Sequence, residues 1–181
     1  MYVVMIIMKI LSWNVRGLRR PEKRGKIKNL VRERDIDVLL IQETKRSSMD
    51  DRFVITIWPF EEMEFMLIDS DGSVGGLLCV WKPQVFEFQD CYSNKHFIIL
   101  SGIACSSFPY VIVNIYAPNE VVRRRQTWES LVSINQHFLL PWCVEGDFNE
   151  IRYMSERKGC SRKERRMSDF NEFIEKLELI D

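Results

Sequence analysis

The run "VLLIQ", residues 38 to 42, constrains the fold more than any other stretch. Four consecutive apolar side chains cannot all face one side of an extended chain. The segment is also short, with charged residues before and after it. A run of this kind is typical of a parallel strand buried on both faces. Upstream, "KILSWNV" (9 to 15) reads as another strand, with Ile10 and Leu11 suited to burial. Between them Ile27, Leu30 and Val31 fall at i, i+3, i+4, the spacing of one helix face. Strand, helix, strand predicts a βαβ unit whose two strands are parallel, adjacent and joined by a right-handed crossover. Their C-terminal ends then share one edge, with Asn14 at one end and Glu43 at the other.

The middle of the chain predicts mostly strands. "EFMLI" and "LLCVW" flank the turn signal "DSDGSVGG", and "VFEF", "HFIIL" and "YVIVNIY" follow at hairpin-like spacing. Asn119 is placed to cap a helix running to about Phe138, with Trp128, Leu131 and Val132 as its buried stripe. The strand after that helix lies in "WCVEGDFNEI" (142 to 151). A last helix, capped by Ser168, carries Phe170, Phe173, Ile174 and Leu177 at i, i+3, i+4, i+7.

Charge and cysteine content narrow the function classes. Lys and Arg total 26, as do Asp and Glu, so any pull toward nucleic acid must come from local clusters. Two clusters follow strand ends: "RGLRRPEKRGKIK" (16 to 28) and "RKGCSRKERR" (157 to 166). A third, "RRR" (123 to 125), reads as a solvated helix face. Five widely spaced cysteines with no Cys-x-x-Cys argue against a zinc site or a disulfide framework and suit reduced thiols. The apolar N-terminus is far short of the ~20 residues that span a bilayer, and it lacks the pattern of a signal peptide. An intracellular protein of nucleus or cytoplasm, with no membrane partner, is expected. Residues 1–7 read as an extension ahead of a domain covering 8–181.

Four apolar runs end in polar groups. These are Asn14, Glu43, Tyr116, and Asp147 with Asn149. Together they suit metal-assisted hydrolysis of a phosphodiester. A hard cation such as Mg²⁺ takes oxygen ligands, often one or two carboxylates plus substrate phosphate. A second carboxylate can act on the attacking water, while amides and a phenol donate to phosphate oxygens.

The motifs that carry these residues, "LSWNVRGL", "LLIQET", "VNIYAPN" and "GDFNEI", resemble in order those of the endonuclease/exonuclease/phosphatase superfamily. The flanks "GGLLCVWKP", "WCVEGDFNEIRYMSERKGC" and "DFNEFIEKLELID" are similar to the nuclease domain that precedes the reverse transcriptase in plant LINE-type (non-LTR) retrotransposons. The resemblance spans about Met8 to Asp181. It implies an α/β fold, a four-layer α/β sandwich of two packed mixed sheets flanked by helices, with the site at the strand ends. It also implies Mg²⁺-dependent cleavage of DNA by in-line attack of water, with Mn²⁺ as a possible substitute. On this mapping Glu43 is the metal-binding glutamate, and Asn14 is the asparagine near metal and phosphate. Tyr116 is the phosphate-side tyrosine, Asp147 the aspartate that orients or deprotonates water, and Asn149 the phosphate-binding asparagine. DNA would lie along the basic loops 16–28 and 157–166.

The departures are as informative. The superfamily's later part closes on Ser-Asp-His, and no such tripeptide occurs here. His96 and His137 are the only histidines, and neither follows an Asp. These 181 residues therefore read as the N-terminal part of the fold, with its C-terminal part missing. Two alternatives stand beside the nuclease. One is a catalytically dead remnant that at most binds nucleic acid weakly. The other is a small-molecule or lipid phosphatase of the same superfamily.

Overall fold

The computed structural model describes residues 8–72, 74–156 and 165–180. The proposed extension 1–7 and most of the basic loop 157–166 fall outside the described residues. Two four-stranded sheets stack face to face. The first, ordered β1-β2-β4-β3, contains β1 (Ile10–Asn14), β2 (Val38–Gln42), β3 (Glu64–Ile68) and β4 (Leu77–Trp81). The second runs in chain order through β5 (Phe86–Asn94), β6 (Phe97–Ala104), β7 (Phe108–Tyr116) and β8 (Trp142–Asp147). Each sheet holds one parallel pair, β1 with β2 and β7 with β8, and its other pairings are antiparallel. The helix α1 (Pro21–Arg34) connects the first pair, and α3 (Val121–Asn135) connects the second. A short helix, α2 (Asp51–Val54), leads into β3, and α4 (Arg165–Lys176) ends the described chain.

Alternation along the strands sorts side chains into three cores. Leu39 and Ile41 face outward and pack with Ile27 and Val31 of α1 and with Trp58. Val38 and Leu40 face inward, between the sheets, with Leu77, Cys79 and Trp81 against Phe86, Ile98, Leu100 and Ile112. On the far side Phe97, Ile99, Val111, Val113 and Ile115 pack under Trp128 and Leu131 of α3 and under Phe170, Phe173 and Ile174 of α4. The result is helix, sheet, sheet, helix, as the resemblance implied. The expectation that β2 is buried on both faces holds along its whole length.

Two local expectations are corrected. Asn119 is not the N-cap of α3; that position is Glu120, which makes no side-chain cap. Ser168 lies inside α4, because the helix begins at Arg165. Trp13, one residue before Asn14, is 38% exposed and stands outside the core.

Candidate active site

The inner face of each of the four strands in the parallel pairs changes character along its length. In β2 it runs Val38, Leu40, Gln42, and in β7 it runs Ile112, Asn114, Tyr116. In β1 it runs Ile10, Ser12, Asn14, and in β8 Cys143, Glu145, Asp147. Apolar residues thus fill one end of the inter-sheet space, and polar residues line the other. Both parallel pairs point their C-terminal ends that way. β1 packs against β8, and β2 against β7 and β8, so the four ends meet.

The meeting point is held by hydrogen bonds between the sheets. Asn14 Nδ2 donates to Asp147 Oδ2 at 2.5 Å. The Asp147 Oδ1 accepts from the Asn149 backbone N–H at 3.0 Å. Asn149 Nδ2 donates to the Ala117 carbonyl at 2.6 Å, just beyond β7. The Tyr116 hydroxyl donates to Glu43 Oε1 at 3.3 Å, and Lys45 Nζ lies 3.3 Å from the same oxygen. Tyr116 pairs with Asp147 across β7 and β8. Burial, then the Glu43 and Asp147 carboxylates, push the Tyr116 phenol up to about 12, so it keeps its proton. All five sequence-predicted residues therefore belong to one connected group. A cleft of about 720 Å³ opens on part of it, lined by Asn14, Asp147 and Asn149 with Ser12, Gln42 and Arg124. Glu43 and Tyr116 do not line that cleft; they stand beside it.

Backbone strain concentrates at the same place. Arg16, Glu43, Lys45 and Asn149 all have φ between 49° and 60°, a region that non-glycine residues enter at a cost. Gly146 has φ 141°, and a Cβ there would sit 2.0 Å from the Ile115 carbonyl oxygen. Only glycine lets β8 lie this close to β7 one residue before Asp147. Glu145, just before that glycine, pairs with Asn114 in an unbroken β7–β8 ladder.

Sequence reasoning missed the layer beneath. Gln42 and Asn114, 1% and 0% exposed, join the two sheets through Gln42 Nε2 donating to Asn114 Oδ1 at 2.7 Å. Asn114 Nδ2 in turn donates to the Ile41 and Leu78 carbonyls. The available signal was a polar residue at every inward position near the strand ends. The "RRR" cluster also departs from expectation. Arg123 and Arg125 form exposed pairs with Glu120 and Glu129, but Arg124 is buried and ion-paired with Glu150 at 2.7 Å.

Much of the basic stretch 16–28 serves the fold. Lys23 donates to the Val15 carbonyl, Arg24 to the Leu18 and Arg19 carbonyls, and Lys28 to the Ile55 carbonyl. Arg16, Arg19 and Arg20 remain exposed. His137, two residues past the end of α3, contacts the Ser133 carbonyl at 3.0 Å. His96 adjoins the site through its carbonyl, which accepts from the Tyr116 N–H.

Two stacked mixed sheets between helix layers, with carboxylates, amides and a phenol gathered at the strand ends, define a four-layer α/β protein. The chain belongs to the endonuclease/exonuclease/phosphatase family, whose model matches residues 11–160. Solved structures share the fold. An AP endonuclease from Leishmania major superposes with a TM-score of 0.68 at 16% identity, covering 94% of this chain and 66% of that one. The APE2 catalytic domain of Xenopus laevis gives 0.68 at 16% identity, covering 92% and 67%. The endonuclease domain of TRAS1, a telomere-specific non-LTR retrotransposon, gives 0.68 at 10% identity, covering 94% and 71%. The 181 residues thus span about two thirds of the length of these structures. Among the described residues no helix is long and apolar enough to cross a membrane.

Proposed function

We propose that this chain carries the greater part of a divalent-metal-dependent phosphodiester hydrolase site that acts on DNA, of the kind found in LINE-type retrotransposons. The observation that supports it best is the Asn14–Asp147–Asn149 hydrogen-bonded group, contributed by both sheets, beside the Glu43–Tyr116 pair. Asp147, its orientation set by Asn14 and by the Asn149 amide, accepts a proton from the attacking water or holds that water in line. Asn149 and Asn14 carry amide donors suited to phosphate oxygens. Tyr116 offers a neutral hydroxyl to an oxygen whose charge grows in the transition state. The exposed Arg16, Arg19 and Arg20 suit the flanking phosphates.

The donors available to a cation are hard oxygens, of Glu43 and of the Asn14 amide, which is the chemistry Mg²⁺ or Mn²⁺ takes. No group of three His, Cys, Asp or Glu ligands occurs among the described residues, so the ion would keep much of its water. When bound, it would offset phosphate charge at that end of the cleft.

A plasmid-nicking assay tests the reading. The 181-residue chain should nick supercoiled DNA slowly with Mg²⁺. Glu43→Gln and Asp147→Asn should each lower the rate by roughly 10²-fold or more. Fusing a related C-terminal half that bears Ser-Asp-His should raise it. Metal-independent nicking, or nicking indifferent to both substitutions, would refute the site. The open cleft and the endonucleases among the proteins of like fold favour this reading over a phosphatase for small molecules or lipids.

A further inference from the structure

We propose that Arg124 is a positioning residue: its guanidinium ties the loop leaving β7 to the loop leaving β8, and so holds Asn149 and Asp147 against Asn14. Of the three consecutive arginines it alone turns inward, and its side chain is 4% exposed. Its Nη1 donates to the Pro118 and Asn119 carbonyls at 3.1 and 3.0 Å. Its Nη2 donates to Glu150 Oε2 at 2.7 Å. The Glu150 side chain is 2% exposed, and its other oxygen accepts from the Ile151 N–H at 3.1 Å.

The placement of these acceptors separates a positioning role from simple stapling. Pro118 and Asn119 follow Tyr116 by two and three residues, and Glu150 directly follows Asn149. The same two loops are joined nearer the site, where Asn149 Nδ2 reaches the Ala117 carbonyl and the Ala117 N–H reaches the Asp147 carbonyl at 2.8 Å. Arg124 therefore closes a ring of hydrogen bonds that passes through two site residues, and its side chain lines the same cleft. Asn149 sits at φ 50°, a conformation that persists only when its surroundings enforce it. Taking a guanidinium and a carboxylate out of water is costly, and well-packed apolar residues often do as well for stability alone. A planar fork with donors in fixed directions is what two carbonyls and a carboxylate from separate loops require, and an ammonium cannot reproduce it.

The test compares Arg124→Lys and Glu150→Gln with Val132→Ala, a packing change on the same helix. Val132 contacts the core beneath α3 and takes no part in the ring. The first readout is hydrogen exchange at the Asn149 amide, whose N–H is bonded to Asp147. Arg124→Lys should speed that exchange about tenfold relative to neighbouring amides, and Val132→Ala should leave the ratio unchanged. Glu150→Gln keeps both carbonyl bonds, so it should fold and show a smaller effect of the same sign. The second readout is Mg²⁺-dependent nicking, which rests on the function proposed above. Arg124→Lys should lower kcat by about 10- to 100-fold with KM within about twofold. The ring is refuted if the Asn149 exchange ratio is the same in all variants, or if all three lose activity in proportion to lost stability. An altered Asn149 ratio in a chain that never hydrolyses DNA would refute the proposed function and leave the ring standing.

Discussion

Tyr116 stays protonated because it is buried and faces the Glu43 and Asp147 carboxylates, and a phenolate there would add a third negative charge. It is therefore a hydrogen-bond donor at any pH at which the protein would work. Tyr116→Phe removes the hydroxyl that the proposed function assigns to the oxyanion and leaves the ring in place. Nicking should fall by roughly 10²-fold with little change in melting temperature, read from kcat and a thermal scan of the same preparation. The five residues gathered at the strand ends were conspicuous because each ends an apolar run, where a polar side chain stands out. Gln42, Asn114 and Arg124 were not. Gln42 reads as a strand exit, and the middle of "RRR" reads as solvated. Their burial is decided by partners 72 and 26 residues away, which local spacing cannot reveal.

At the scale of elements, the end of the first sheet remote from the site depends on one lysine. Lys82, just after β4, reaches Asp35 and Asp37 between α1 and β2 at 2.7 and 2.9 Å. Burial alone would push its ammonium down, but the two carboxylates outweigh this and hold it above the usual lysine value. Asp37 also accepts from the Lys9 N–H, so β1, β2 and β4 share this knot. Lys82→Ala leaves Asp37 buried without its cation, and a loss of about 3–5 kcal/mol in urea unfolding is expected. The bounds of β2, β3 and β4 were readable to the residue, because each is a compact apolar run flanked by charges or turn residues. The starts of α3 and α4 were not. Asn and Ser favour caps, yet tertiary packing let both helices begin elsewhere, at Val121 and Arg165.

The whole molecule has a shared weakness at alkaline pH. Burial pushes the Cys79 thiol, between the sheets, from 9.0 up to about 12. Tyr110 and Tyr116 move from 10.0 to about 12, chiefly by burial. In each case the unfolded chain ionises first, so it binds fewer protons than the folded one. The stability these groups lend is complete below their unfolded values and drains as pH rises toward 12. The melting temperature should therefore fall progressively between about pH 9 and pH 12. Cys79→Ala should be less stable at neutral pH but should lose less over that interval, measured by thermal scans in matched buffers. The four-layer architecture was legible from the resemblance and from the βαβ pattern together. The second crossover, β7–α3–β8, was the less obvious one, because "WCVEGD" has only three apolar residues before its polar end and its parallel partner follows a run of hairpins.

The alternation that places Asn14, Gln42, Tyr116 and Asp147 on the inward face also decides where the gene can change length. One codon inserted inside Val38–Gln42 or Trp142–Asp147 would turn every later side chain of that strand over. The polar groups of the candidate site would then face the helices, and apolar ones would enter the polar end of the inter-sheet space. In-frame insertions and deletions should thus survive only between elements. A library of single-codon insertions, sorted for folded protein, would trace the strands as gaps in the surviving positions.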